Sequence, residues 1–254
     1  MKYIDVHAHY EDEKYNEDLE EVLKEIRNSG IEYIINAGSS FDESIKGLEI
    51  VKKHENMYCT LGIHPYYPEE IDKVDEFENI YLENKDKVVA IGEIGLDYHI
   101  SKEDREAQIG LFRKQIRLAK KLNLPIQIHS RDAAEDTIEV LKSEELPEKI
   151  MFHCFDLNPE TAKYIIKNGW SISVGGNITY KRKSIAIEVL KSIPIDKIMT
   201  ETDAPYLSPE GHRGERNSSK NIPQIVEKIA EIKEIPVEEL AKRLYENAKA
   251  FYNI

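Results

Sequence analysis

The sequence predicts an α/β protein built as a single (β/α)8 TIM barrel, and three observations carry that expectation. First, eight short apolar, β-branched runs begin near Tyr3, Glu32, Tyr58, Val88, Ile126, Ile150, Trp170 and Lys197, and each is followed by a longer charged segment with helical spacing. Second, the runs are apolar on both faces, as in Val88-Val89-Ala90-Ile91; parallel strands covered by helices on both sides need this. Third, the chain has 254 residues and no Gly-rich phosphate turn. That length suits one barrel, whereas an open doubly wound sheet usually shows fewer strands and such a turn.

The helical half of the pattern is clearest between residues 104 and 123. There Ile109, Phe112, Ile116 and Ala119 form one stripe, with Arg and Lys elsewhere. Ser101 and Asp104 have capping-box spacing, and Pro125 stops the helix and opens the next strand. After the eighth run comes the longest irregular stretch, from Ala204 to about Lys220, with Pro205, Pro209, Gly211 and Gly214. A loop this long is more often functional than idle, and in a barrel it belongs to the end of the strands where active sites lie. Two helical segments split near Pro236 close the chain. No Pro-, Gly- or Ser-rich linker interrupts residues 1–254, so one domain is expected.

Composition removes several function classes. Hydrophobic residues make up 41% and charged residues 33%, and no apolar run reaches the ~20 residues of a membrane helix. The formal net charge of −13 argues against broad electrostatic capture of nucleic acid. It leaves room for a local phosphate site whose positive charge comes from bound cations. Met1 to Asp12 carries Asp5, Glu11 and Asp12 and has no apolar core of signal-peptide length. Cys59 and Cys154 both sit in apolar runs and read as small buried hydrophobes in a reducing compartment. A cytoplasmic protein is expected.

The residues that carry chemistry gather where the strands end. The first strand ends in Asp5-Val6-His7-Ala8-His9, and period two puts His7 and His9 on one side as a chelating pair. The fourth ends in Gly92-Glu93-Ile94-Gly95-Leu96-Asp97, the fifth in His129-Ser130-Arg131, the sixth in Phe152-His153-Cys154 and the eighth in Glu201-Thr202-Asp203. A lone strand-end histidine is ordinarily a hydrogen-bonded core or surface residue, and Glu93 alone could pair with a buried arginine. Four histidines and two carboxylates from five strands are another matter, because only cations make such a gathering favourable. Imidazole with carboxylate suits Zn²⁺, Mn²⁺, Fe²⁺ or Co²⁺ and poorly suits Ca²⁺. Six ligands exceed one tetrahedral site, so two ions fit better than one.

In order along the chain, His7-Ala8-His9, Gly92-Glu93-Ile94-Gly95-Leu96-Asp97-Tyr98, Ile128-His129-Ser130-Arg131, Phe152-His153-Cys154-Phe155 and Glu201-Thr202-Asp203-Ala204-Pro205-Tyr206 resemble the TatD family of metal-dependent deoxyribonucleases, a branch of the amidohydrolase-like barrels. Gly62-Ile63-His64-Pro65 and Arg213-Gly214 with Asn217 are similar to family segments too, so the resemblance spans essentially the whole chain. It implies His7, His9, Glu93, His129, His153 and Asp203 as metal ligands. It also implies phosphodiester hydrolysis, typically as a 3′-to-5′ exonuclease on DNA. The sequence departs from the family at Glu215, where members often carry Lys after the Arg-Gly pair.

The expected chemistry is hydrolysis assisted by two divalent ions, drawn from Zn, Mg, Mn, Fe and Co. Asp203 and Glu93 are the expected catalytic groups: Asp203 binds metal and takes the water's proton, and Glu93 bridges the ions. Glu201 orients a ligand as an outer support. His64 contacts substrate or forms a structural His-Pro turn. Arg131 binds phosphate or pairs with Glu201, Arg213 joins the phosphate contacts, and Lys181-Arg182-Lys183 is a solvated face or a phosphate contact. The expected partner is DNA, preferably single-stranded ends, with no membrane association. The same activated water could instead attack a lactone, a cyclic amide or an aminoacyl ester. Related barrels of that kind often bridge their metals with a modified lysine on strand four, where Glu93 stands here.

Overall fold

The computed structural model describes residues 1–99, 104–156, 158–180 and 184–254. Ser101 of the expected capping box and the basic run Lys181-Arg182-Lys183 lie outside the described residues. The strands are β1 (Tyr3–Ala8), β2 (Ile31–Asn36), β3 (Met57–Leu61), β4 (Val88–Asp97), β5 (Ile126–Arg131), β6 (Ile150–Phe152), β7 (Ser171–Val174) and β8 (Ile198–Thr200). Between and after them run α1 (Leu19–Asn28), α2 (Phe41–Val51), α3 (Glu76–Glu83), α4 (Arg105–Leu122), α5 (Ala134–Ser143), α6 (Pro159–Asn168), α7 (Ser184–Ser192), α8 (Ile222–Lys233) and α9 (Val237–Tyr252). Each strand begins within one residue of its expected start.

The strands follow one another in the order β1-β2-β3-β4-β5-β6-β7-β8 of one eight-stranded sheet. The recorded pairings β1–β2, β3–β4, β4–β5, β5–β6 and β7–β8 are all parallel. A parallel bridge from Ala8 to Ala204 brings the chain beyond β8 back beside β1. Consecutive parallel order with the last strand returned to the first is the (β/α)8 barrel.

Two compact units make up the chain, one of residues 1–36 with 153–254 and one of residues 37–152. In the first, α9 packs on β1 and β8 and α8 packs on α9. Val6, Ile34, Ile35, Ile172, Ile225, Ile229, Leu240 and Leu244 supply its core. β1 is buried at every position, including Asp5 and His7.

In the second unit α4 covers β4, and Ile63, Ile91, Ile94, Phe112, Ile116, Ile126 and Ile128 are buried. The buried stripe of α4 is centred on Phe112, Ile116 and Ala119 as expected, but it takes in Gln108, Leu111 and Gln115 and leaves Ile109 only half-buried. The two glutamines explain the shift. Gln115 receives the Ile63 N–H at 2.8 Å and donates to the Ile63 carbonyl at 2.9 Å. Gln108 does the same for Asp97, at 2.9 and 3.1 Å. Both amides thus satisfy backbone groups that parallel pairing leaves open at the ends of β3 and β4. α4 ends at Asn123, whose left-handed φ of 54° closes the helix before Pro125.

Among the described residues, no helix is long and apolar enough to cross a membrane. Both cysteines are free thiols. Cys59 lies in β3, whereas Cys154 sits in the turn after β6 with φ 42° rather than inside a strand.

Candidate metal centre

In the unit of residues 1–36 and 153–254, the end of β1 delivers His7 and His9 to the same side, as the alternation predicts. Their Nε2 atoms lie 3.1 Å apart. Asp203 Oδ1 stands 3.4 Å from His9 Nε2 and 3.7 Å from His7 Nε2. The His153 ring stacks on His7 with centroids 4.0 Å apart and planes 10° from parallel, and His7, His153 and Asp203 offer ligand atoms within 4.8 Å of one another. The other nitrogen of His9 faces the Glu11 carboxylate at 3.3 Å, and Asn36 Nδ2 donates to Glu11 at 2.6 Å. Glu11 is thus placed to accept a hydrogen bond from His9 Nδ1–H, which leaves Nε2 as the nitrogen turned toward His7 and Asp203.

Asp203 does not reach this position by continuing β8, which ends at Thr200. Its backbone is left-handed, with φ 56°. It is pinned on both sides of the turn: the Asp203 N–H donates to the His7 carbonyl at 3.0 Å, and the His9 N–H to the Ala204 carbonyl at 2.7 Å. Non-glycine residues adopt this conformation mainly where surrounding contacts over-determine it, and such sites cluster at function. Glu201 is fully buried; Ser173 Oγ donates to one of its oxygens and His153 Nδ1 lies 3.7 Å from the other. That is the place of a support behind His153.

Beneath the turn, Asp5 accepts from the His7 N–H at 3.3 Å, the Thr202 N–H at 3.0 Å and Ser219 Oγ at 2.6 Å. Burial pushes its carboxyl up to about 7, against the pull of these hydrogen bonds. Asn217 holds the carbonyls of Thr202 at 2.9 Å and Tyr206 at 2.7 Å, tying the long loop to the turn that carries Asp203.

In the unit of residues 37–152, β4 and β5 bring Glu93 and His129 together, with His129 Nδ1 3.4 Å from Glu93 Oε2. The other ring nitrogen, Nε2, meets Asp97 Oδ2 at 2.9 Å. Burial pushes the Asp97 carboxyl up, but hydrogen bonds from His129, the His99 N–H and Tyr66, with the charge of His129, outweigh it and hold the pKa at about 2. The ionised Asp97 accepts from His129 Nε2, which leaves Nδ1 as the ring nitrogen turned toward Glu93. Gly95 permits this close approach: its φ is 148°, and a Cβ there would overlap the His129 carbonyl. The His64 ring meets His129 edge-on at 4.4 Å, and His64, Glu93 and His129 also offer ligand atoms within 4.8 Å. Arg131 is exposed at the end of β5, beside the Tyr66 hydroxyl. Arg213 lies in the other unit, its guanidinium 4.5 Å from the centre of the Tyr180 ring.

The donor set fits divalent cations. Ligands of a tetrahedral ion bound at about 2.0–2.1 Å stand roughly 3.3 Å from one another, close to the separations of 3.1, 3.4 and 3.7 Å among His7, His9 and Asp203. Lone pairs and carboxylate oxygens facing one another at such distances repel unless a proton or a cation lies between them.

The family model of TatD related DNases matches residues 4–253. The chain belongs to the TatD family. Its TatD relatives include YabD of Bacillus subtilis, named an uncharacterized metal-dependent hydrolase, which is 39% identical with 99% of each chain covered. A protein of Methanocaldococcus jannaschii with the same description is 35% identical, over 99% of this chain and 97% of its own. The crystal structure of YjjV, a TatD homolog of Escherichia coli, superposes with a TM-score of 0.92 at 29% identity, covering 99% of this chain and 98% of that one.

Several functional positions of this TatD chain escaped the sequence reading. Asp5 and Asp97 stood inside the strand-end motifs without a role, and Glu11 lay two residues past the first of them. The signal was present: Asp5 and Asp97 are charges set within or at the end of apolar strand runs, where an acid survives only if hydrogen-bonded.

Proposed function

We propose that the chain is a metal-dependent hydrolase that cleaves DNA phosphodiesters from single-stranded ends, in the 3′-to-5′ sense, and that residues 1–254 act as one domain in the cytoplasm. The observation that carries this reading is the convergence of His7 Nε2, His9 Nε2 and Asp203 Oδ1 at 3.1–3.7 Å in a TatD-family chain. In this reading His7, His9, Glu93, His129, His153 and Asp203 hold two divalent ions. When bound, the ions supply an acidified water and positive charge beside a phosphoryl oxygen. Asp203 would accept the water's proton on its carboxylate, and Glu93 would help to hold both ions. Glu11 and Asp97 keep His9 and His129 in the tautomers that present lone pairs, and Glu201 steadies His153. His64, Arg131 and Arg213 meet the phosphates of the strand.

The test starts from chelator-stripped protein, reloaded separately with Mg²⁺, Mn²⁺, Zn²⁺, Co²⁺ or Fe²⁺ and offered single-stranded DNA, RNA, a lactone and an aminoacyl ester. Release of mononucleotides from DNA only after reloading is the expected result. Fast metal-dependent ester or lactone turnover with intact DNA would move the chain to the ester- and amide-cleaving hydrolases.

A further inference from the structure

We propose that Tyr206, with Lys14 above it, is a nucleobase platform beside His9 and Asp203, on which one base of a single DNA strand stacks while Lys14 takes the adjoining phosphate. This rests on the nuclease reading above and adds a binding subsite to it.

Tyr206 is 46% exposed, which is unusual for a ring so firmly held. Its hydroxyl donates to Asp12 Oδ2 at 2.7 Å, its N–H donates to the Asp203 carbonyl at 2.8 Å, and its carbonyl accepts from Asn217 at 2.7 Å. It is three residues from Asp203, and its ring stands edge-to-face with His9, centroids 6.4 Å apart at 61°. Lys14 Nζ lies 4.3 Å from the ring centroid. The lysine backbone is fixed as well, because its N–H donates to Asp12 Oδ1 at 2.8 Å and its carbonyl accepts from Arg216. Both partners are therefore anchored through their backbones or the ring hydroxyl, while the Tyr206 ring is half-exposed under the exposed Lys14 side chain.

A tyrosine needing only burial would not be presented to solvent beside a candidate metal site. A base stacked on such a ring is worth roughly 1–3 kcal/mol and is sequence-tolerant, since every base has a π-face. An ammonium over a ring is a modest contact at an exposed site. The flexible lysine can exchange it for an ion pair with phosphate and uncover the ring as the base arrives. In a chain of net charge −13 a lysine parked on an aromatic ring is a placed cation, close to where a diester would meet His9 and Asp203.

The experiment measures binding in chelator, by fluorescence anisotropy of a labelled short oligothymidylate and of the same strand made abasic. Wild type should bind the oligothymidylate about tenfold or more tighter than the abasic strand, the gap expected from one stacked base. Tyr206→Ala should remove that gap. Tyr206→Phe should keep most of it, because the ring remains when the hydroxyl contact to Asp12 is lost. Lys14→Ala should weaken both strands and reduce the salt slope by about one phosphate's share. Equal binding of the two strands by wild type, or an undiminished gap in Tyr206→Ala, would overturn the platform. Metal-dependent cleavage of DNA alongside either result would leave the nuclease reading intact. Loss of cleavage with the gap intact would sink that reading and not the platform.

Discussion

Replacing Asp203 with asparagine changes the side chain's size very little and removes one capacity, the acceptance of a proton. Asp203→Asn should keep the fold, since the hydrogen bonds pinning this turn run through the backbone, from Asp203 to His7 and from His9 to Ala204. It should retain much of the metal, because an amide oxygen still ligates. Turnover should fall about 10²–10⁴-fold, the usual share of a positioned base. The measurement is kcat at saturating metal beside a melting curve, and a variant within tenfold of wild type would remove Asp203 from the role. Asp97 acts through His129 instead. Asp97→Ala should weaken metal binding by about 10–100-fold, read by competition with a chromogenic chelator. The sign of its pH dependence follows from its depressed pKa of about 2 against an ordinary 3.8. Its stabilising contribution is complete above the ordinary value and is lost as pH falls through about 2. Asp97 itself should therefore not titrate between pH 5 and 8, and an acid limb of activity in that range must come from another group. Tight metal binding by Asp97→Ala would show that His129 holds its orientation unaided.

The strand starts were legible to within a residue because both-face apolar runs are a property of local sequence, whereas β6 and β8 end short of the expected His153-Cys154 and Glu201-Thr202-Asp203. Helix α4 was less so, for a physical reason. Its inward face carries Gln108 and Gln115, and a polar residue at a core position has no signature in hydrophobic periodicity. What justifies it is the backbone of Asp97, at the end of β4, and of Ile63, just past β3, 11 and 52 residues away in sequence. The position of Asp203 was similarly hidden, because strand alternation stops at Thr200 and the turn beyond it is set by contacts with β1. His7 and His9, in contrast, obey the period of two and were placed correctly. The role of α4 is testable as an element. Gln115→Leu keeps volume but leaves the buried Ile63 N–H and carbonyl unsatisfied, which costs about 1–3 kcal/mol for each such group. Urea denaturation should show a loss of about 2–6 kcal/mol on that basis, and the neighbouring His64 should be displaced from His129. A Gln115→Leu protein as stable as wild type would mean that water or a repacked loop satisfies Ile63.

Charge is a property of the whole chain, and it constrains how nucleic acid can be held. With 48 acidic and 35 basic residues, the surface cannot release a large counterion atmosphere from DNA. Affinity should come instead from a few cations such as Lys14, Arg131 and Arg213, from stacking on Tyr206, and from bound metal. Each phosphate neutralised in a single strand contributes about −0.7 to the slope of log affinity against log salt. Two or three contacts therefore predict a slope of roughly −1.5 to −2. Duplex, with its higher charge density, should gain nothing from a surface of the same sign. An enzyme gripping so few phosphates would have little to hold in the middle of a strand, and an end should reach the proposed metal ligands most easily. Linear single strands should then be shortened to mononucleotides while closed circles of the same sequence persist, when both are incubated side by side with Mn²⁺ or Mg²⁺. Equal attack on the circle would refute the end-dependent mode. A salt slope of about −5 or steeper would refute the sparse contact on which that mode depends.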